Sequence, residues 1–127
     1  MEIYGIGTDI IEISRIREAI NRTSSFKRKV YTEKEIEYIE KKKEPYASYA
    51  GRFAAKEAVS KALGTGVRGF SLSDVEILND ELGKPTVTLY NNLLNHAEDL
   101  KIQISISHSR EYAVSTVIIY KEKKNWG

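Results

Sequence analysis

The sequence predicts an α+β fold. Apolar residues recur at helical spacing through most of the first half and alternate at strand spacing through most of the second, and a glycine-containing turn joins two strand-like runs. Helices gathered ahead of strands, instead of alternating with them, predict an antiparallel sheet packed with helices. At 127 residues, 41% hydrophobic and with only two prolines, the chain is expected to form a single domain over 1–127 with its own core.

The elements follow in order. Ile3 to Thr8 reads as a strand, and Ile10, Ile13, Ile16 and Ile20 then fall at helical spacing, which places Asp9 at a strand-to-helix junction. Thr32-Glu33-Lys34-Glu35 is a capping box opening a helix to about Lys43, with Pro45 as its stop. A second helix runs from Ser48 to Leu63 and ends at Gly64. Val75, Ile77 and the run Thr86 to Tyr90 flank the turn Asn79 to Gly83 as a hairpin. Leu93, Leu94, Ala97 and Leu100 form a short helical stripe. Ile102, Ile104 and Ile106 alternate, as do several residues of Tyr112 to Tyr120, giving two more strands linked by Ser107 to Glu111. No repeat, low-complexity segment or linker interrupts this order.

Composition narrows the chemistry. Without cysteine there is no disulfide, thiolate metal site or cysteine nucleophile, which leaves oxygen and nitrogen groups. The first residues lack a basic stretch followed by a long apolar core, and no apolar run reaches the length of a membrane span, so no membrane partner and a cytoplasmic location are expected. A net charge of +2 does not imply a polyanionic partner, but its distribution is uneven. Between Ile13 and Val30, Arg15, Arg17, Arg22, Lys27, Arg28 and Lys29 face the single acid Glu18. The charged tail from Lys121 to Lys124 reads as a solvated end.

The densest signal lies in Phe53 to Lys61, where one acid and two lysines interrupt a run of small apolar residues. At about 100° per residue, Glu57 and Lys61 stand one turn apart beside an apolar arc. Asp9 follows the paired glycines Gly5 and Gly7, which permit close backbone approach. Two isolated acids with lysines nearby suit a divalent ion holding a phosphate. The same residues are compatible with an ordinary Glu57–Lys61 surface pair and with Asp9 as a helix cap.

Five segments occur in fixed order: Gly5-Ile6-Gly7-Thr8-Asp9-Ile10-Ile11-Glu12-Ile13, Ala50 to Ala58 (AGRFAAKEA), Lys61-Ala62-Leu63-Gly64-Thr65-Gly66, Gly83-Lys84-Pro85 and Ile104-Ser105-Ile106-Ser107-His108-Ser109. Together they closely resemble the holo-acyl-carrier-protein synthases, the small bacterial 4′-phosphopantetheinyl transferases, from about Ile3 to Ile119. The resemblance implies the fold of that family and transfer of the phosphopantetheine arm of coenzyme A to a serine of apo acyl carrier protein, in support of fatty-acid synthesis. It also implies a homotrimer with active sites at subunit junctions.

Residue by residue, the resemblance makes Asp9 and Glu57 the ligands of Mg²⁺ and, with Lys61, the catalytic set. Lys61 is assigned to charge on the leaving phosphate. Either Glu57 or a metal-held water takes the serine proton, with the water preferred because a carboxylate committed to metal is a poor base. Coenzyme A is expected to meet Arg52 (at its 3′-phosphate), Lys56, Lys61, Gly64, Gly66, Lys84, Pro85, Ser107, His108 and Ser109. Lys56 points about 100° away from Glu57 and ranks below Lys61; taken alone, it is also compatible with simple exposure, as His108 is with a solvated turn. His96 matches no motif and reads as structural. Arg15 and Arg22 are expected to meet the acidic carrier. Thr8 and Ser14 depart from the family pattern, the second removing one charge from that interface. Two other readings compete: a nucleic-acid binder using the basic run, which lacks interleaved aromatic residues beyond Phe26 and Tyr31, and a metal-dependent phosphohydrolase using the same acids.

Overall fold

One long helix organises the chain. In the computed structural model, which describes residues 1–64 and 69–122, α4 (Tyr46–Leu63) buries Tyr49, Ala50, Ala54, Ala55, Ala58, Val59, Ala62 and Leu63. It is preceded by β1 (Glu2–Glu12), α1 (Ile13–Arg22), α2 (Phe26–Val30) and α3 (Glu33–Glu40). After it come a 3₁₀ turn (Leu72–Asp74), β2 (Val75–Asn79), β3 (Pro85–Leu89), α5 (Asn92–His96), β4 (Lys101–His108) and β5 (Tyr112–Lys121). The sheets are antiparallel, one in the order β1-β5-β4 and the other the hairpin β2-β3. The α+β expectation holds.

One face of the three-stranded sheet packs on α4, with Val117 and Ile119 of β5 and Ile104 of β4 among the core residues it meets. A second core, under α1 and α3, gathers Ile13, Ile16, Ile39, Tyr31 and Tyr49. The predicted capping box is present: Glu35 N donates to Thr32 Oγ1 at 3.2 Å and Thr32 N to Glu35 Oε1 at 2.8 Å. Gly64 ends α4 at φ +85°, where a side chain would be strained.

Four boundaries differ from the sequence reading. Asp9 lies inside β1, not at a strand-to-helix junction, because Ile10, Ile11 and Glu12 continue to pair with Val114, Ala113 and Tyr112. Ile10 is 63% exposed, so the helical stripe begins only at Ile13. The short basic helix α2 had no apolar period to reveal it. Pro45 opens α4 as its N-cap, so that helix starts at Tyr46, and β4 extends through Ser107 and His108. Gly66 and the tail from Lys123 to Trp126 lie outside the described residues.

The glycines of β1 set its distance from α4. A Cβ at Gly5 would lie 2.0 Å from Ala62 O, and one at Gly7 2.0 Å from Ala58 O. Four helical residues and two strand residues both advance roughly 6–7 Å, so alternate β1 positions track successive turns of α4. Gly5, Gly7 and Asp9 therefore occupy the helix-facing side of β1. Gly7→Ala is expected to lower stability by about 1–3 kcal/mol or more, since backbone and not a movable side chain blocks the new methyl. Urea denaturation measures this, and Thr8→Ala on the opposite face serves as the mild comparison.

Candidate active site

The glycine contact brings Asp9 of β1 beside Glu57 and Lys61 of α4. Lys61 Nζ donates to Asp9 Oδ1 at 2.8 Å and to Thr8 O at 3.1 Å. The surface ion pair between Glu57 and Lys61 is thereby excluded: the lysine turns to the strand, and Glu57 makes no ion pair among the described residues. Asp9 likewise caps no helix. Burial pushes the Glu57 carboxyl up from its ordinary range, Asp9's charge adds to the rise, and Lys61 opposes it.

Two converging carboxylates with an ammonium held against one of them form a place that favours positive charge. No group of three or more His, Cys, Asp or Glu side chains gathers among the described residues. The donor set fits a hard divalent ion that takes one or two carboxylates and completes its shell with water and phosphate oxygen.

A second feature is a cleft of about 470 Å³ between the first half of α4, the end of the β2–β3 hairpin and β4. Arg52, Pro85 and His108 line it, together with Lys42, Ser48 and Asn79. Arg52 is only 6% exposed. Its guanidinium donates to Ile77 O at 3.2 Å, Ser48 Oγ at 2.9 Å and Asn79 Oδ1, and it lies over the Tyr38 ring at 5.0 Å. It has no carboxylate within ion-pair distance among the described residues. Burial lowers its pKa, yet an arginine remains charged, so an unpaired buried cation faces the cleft and favours an anionic occupant.

The remaining predicted residues separate. His108 is exposed at the cleft, its Nδ1 3.3 Å from Ser109 O. Ser107 is exposed at the end of β4, and Ser109 Oγ accepts from the backbone of Glu111 and Tyr112, fixing the turn. Lys84 is exposed beside Pro85, and Gly64 ends α4 one turn past Lys61's neighbourhood. Asp9, Glu57 and Lys61 do not line the cleft. Lys42 and Asn79 were missed by the sequence reading; the run Lys41-Lys42-Lys43 before Pro45 was the available signal for the first.

Lys56 is corrected outright. It is fully buried, pairs with the equally buried Glu35 at 2.8 Å and donates to the carbonyls of Leu72 (3.1 Å) and Val75, so it is neither exposed nor free for phosphate. Burial lowers its pKa while Glu35 opposes that shift. Glu35 Oε2 also accepts from Ile77 N at 2.9 Å, so the pair ties α3, α4 and β2 together.

The basic run divides as well. Lys27 pairs with Glu40, Arg28 with Glu33, and Arg17 covers the Tyr46 ring, whereas Arg15 and Arg22 are exposed on α1 without an acidic partner among the described residues.

The model of the 4′-phosphopantetheinyl transferase superfamily matches residues 5–117, which include both clusters. The chain belongs to that superfamily. A holo-[acyl-carrier-protein] synthase of Fusobacterium nucleatum is 56% identical over 121 residues, 92% of this chain and 98% of its relative. Among solved structures, the holo-(acyl-carrier-protein) synthase of Bacillus anthracis in complex with CoA (3′,5′-ADP) is 38% identical, with a TM-score of 0.81 over 96% of this chain and 100% of that one. The Helicobacter pylori synthase in complex with coenzyme A is 32% identical, with a TM-score of 0.78 over 90% and 98%. The phosphopantetheinyl transferase fold expected from the sequence is thus the fold observed.

Lys56→Ala should cost this transferase about 3–5 kcal/mol in urea unfolding, because it strands a buried carboxylate. Lys61→Ala, at a half-exposed pair, should change stability by no more than about 1 kcal/mol.

Proposed function

We infer that the chain transfers the 4′-phosphopantetheine arm of coenzyme A to a serine of apo acyl carrier protein, giving holo acyl carrier protein and adenosine 3′,5′-bisphosphate. The observation that carries this is the meeting of Asp9, Glu57 and Lys61 in a chain 56% identical to a protein of that name. The serine oxygen forms a bond to the β-phosphorus while the bond from that phosphorus to the bridging oxygen breaks. The electron pair leaves with the bisphosphate. Mg²⁺ is the ion proposed for Asp9 and Glu57, and when bound it supplies charge neutralisation to the diphosphate.

Lys61 Nζ, half-exposed and one turn beyond Glu57, neutralises charge growing on the departing phosphate. The serine proton would pass to Glu57 or to a water beside the two acids, and the water is preferred because Glu57 is committed to the ion. Arg52 and His108, with Pro85 as an apolar wall, hold the nucleotide in the cleft. Lys84, Ser107, Ser109 and Gly64 are exposed, and the family resemblance makes them further contacts of coenzyme A. Arg15 and Arg22, without acidic partners among the described residues, orient the acidic carrier.

Among the described residues the acids do not line the cleft, and the outer face of β1 and β5 carries exposed Ile6, Ile10 and Ile118 with no charged residue between them. Both points support a homotrimer in which the acids of one subunit meet the cleft of the next. No helix among the described residues is long and apolar enough to cross a membrane. The transferase works on two soluble substrates, and a cytoplasmic location suits both.

Coenzyme A plus apo carrier should give a heavier carrier and free bisphosphate, with no bisphosphate from coenzyme A alone; release without carrier would indicate a phosphohydrolase. Asp9→Ala and Glu57→Gln should each abolish magnesium-dependent transfer. An equimolar mixture of Asp9→Ala and Arg52→Ala chains, exchanged and reassembled, should recover part of the lost rate, since some junctions then join two intact halves. Recovery that does not rise above the sum of the separate variants would place each site within one subunit.

The carrier surface has its own test. Arg15→Glu should raise the KM for carrier at low salt and leave that for coenzyme A nearly unchanged, and rising ionic strength should weaken carrier use in the wild type. Unchanged carrier kinetics in Arg15→Glu would remove α1 from the interface.

A further inference from the structure

A second cavity, of about 600 Å³, lies where the start of α3 meets β2 and the segment after β3. It shares no lining residue with the Arg52 cleft and includes none of Asp9, Glu57 and Lys61. Glu76, only 4% exposed, lines it. Its Oε2 accepts from Thr32 Oγ1 at 2.6 Å and its Oε1 from Tyr90 Oη at 2.9 Å. Both partners are neutral hydroxyls, and no lysine or arginine pairs with Glu76 among the described residues. Lys56 interacts with it through space, but that ammonium is taken by Glu35 and the carbonyls of Leu72 and Val75.

The count of acceptors shows what remains for a ligand. A carboxylate offers about four acceptor positions. Glu35 fills three of its own, with Thr32 N, Lys56 Nζ and Ile77 N. Glu76 fills two, one on each oxygen, so each oxygen keeps a position free. A buried carboxylate in that condition favours a cationic donor. Tyr31 and Tyr90 line the same cavity, and aromatic rings attract ammonium groups. The wall beside them is fixed. Asn91, the only non-glycine residue with positive φ among the described residues (+56°), donates from Nδ2 to Asp74 Oδ1 at 2.7 Å, and Tyr90 N donates to Asp74 O at 2.9 Å. Asp74 thus holds a strained turn that keeps Tyr90 on Glu76.

Two exposed cations also line the cavity. Arg28 faces Glu33 at 3.6 Å, whereas Lys34 has no acidic partner within ion-pair distance among the described residues. One cavity therefore carries a buried carboxylate without a cation and an exposed ammonium without an anion. A simple cation would be repelled by Lys34, and a simple anion by Glu76. A molecule bearing both charges suits both. We propose that this cavity binds a small zwitterion of the amino-acid class, its ammonium group on Glu76 beside the tyrosines and its carboxylate toward Lys34. The site lies apart from the transfer chemistry and does not rest on the transferase reading.

The test is a titration of the full chain followed by backbone amide NMR shifts. Glycine, β-alanine and γ-aminobutyrate vary the distance between the two charges; n-propylammonium and propionate, at matched ionic strength, each carry one. At least one zwitterion should give saturable shifts at Thr32, Glu76, Tyr90 and Asn91. It should bind about two- to fivefold more tightly than n-propylammonium, the scale of one exposed ion pair, and propionate should not bind. Glu76→Gln should weaken the zwitterion by at least about tenfold, the scale of a charge-assisted contact. Lys34→Ala, at an exposed position, should remove only its advantage over n-propylammonium.

Wild-type amides that do not move with any of the three zwitterions overturn the proposal, as do shifts that never saturate. Undiminished binding to a folded Glu76→Gln chain overturns it too. Should Glu76→Gln fail to fold, Lys34→Ala decides: an advantage of the zwitterion that survives this change sinks the assignment.

Discussion

The close approach of β1 to α4 is the constraint on which the rest of the structure depends. Gly5 and Gly7 lie against the carbonyls of Ala62 and Ala58, where even a methyl group would overlap backbone oxygen. Glycine on the strand and alanine on the helix let the two backbones meet, and the similar advance of two strand residues and one helical turn keeps them in step. Asp9, two residues beyond Gly7 on the same side of β1, is thereby delivered to Glu57 and Lys61. The carboxylate cluster is a product of packing before it is a product of charge.

The four charged residues of α4 have four different environments. Arg52 is buried, unpaired by any acid among the described residues, and turned to a cleft. Lys56, one turn on, is buried and consumed by Glu35 and two carbonyls. Glu57 is half-buried with a raised pKa, and Lys61 is half-exposed on Asp9. A buried cation whose hydrogen bonds all go to neutral groups retains attraction for an anion; one paired with a carboxylate has largely lost it. This separates the unpaired cation from the paired one, although both sit on the same face of one helix.

The Glu35–Lys56 pair links the structural layer to the cleft. Glu35 accepts from Ile77 N, and the Ile77 carbonyl accepts from Arg52 Nε, so one residue of β2 connects the ion pair to the guanidinium. The hairpin that carries Asn79, Gly83 and Pro85 is thus registered against α4 by hydrogen bonds at its base and by the Asn79 amide at its tip. A support of this kind holds the Arg52 guanidinium in place without a carboxylate in ion-pair contact among the described residues.

Much was legible in the sequence itself. The capping box at Thr32, the stop at Gly64, the β2–β3 hairpin and the alternation of β4 and β5 are local signals, each read from a few neighbouring residues and each present in the structure. The five ordered segments carried the family, and the acids and Lys61 came with them. What the tertiary structure alone decided depends on which residues meet across the chain. The isoleucines from Ile10 suited a helix, but pairing with β5 kept Ile10 to Glu12 in a strand and moved the helix start to Ile13. Lys56 had the same local pattern as a surface lysine until Glu35, 21 residues away, was found to bury it. Asn79 read as an ordinary turn residue, because nothing within several positions shows that Arg52, 27 residues earlier, shares its amide. Periodicity fixes which face a side chain occupies; only long-range packing fixes what stands opposite, and the roles of Lys56 and Asn79 are set by that partner.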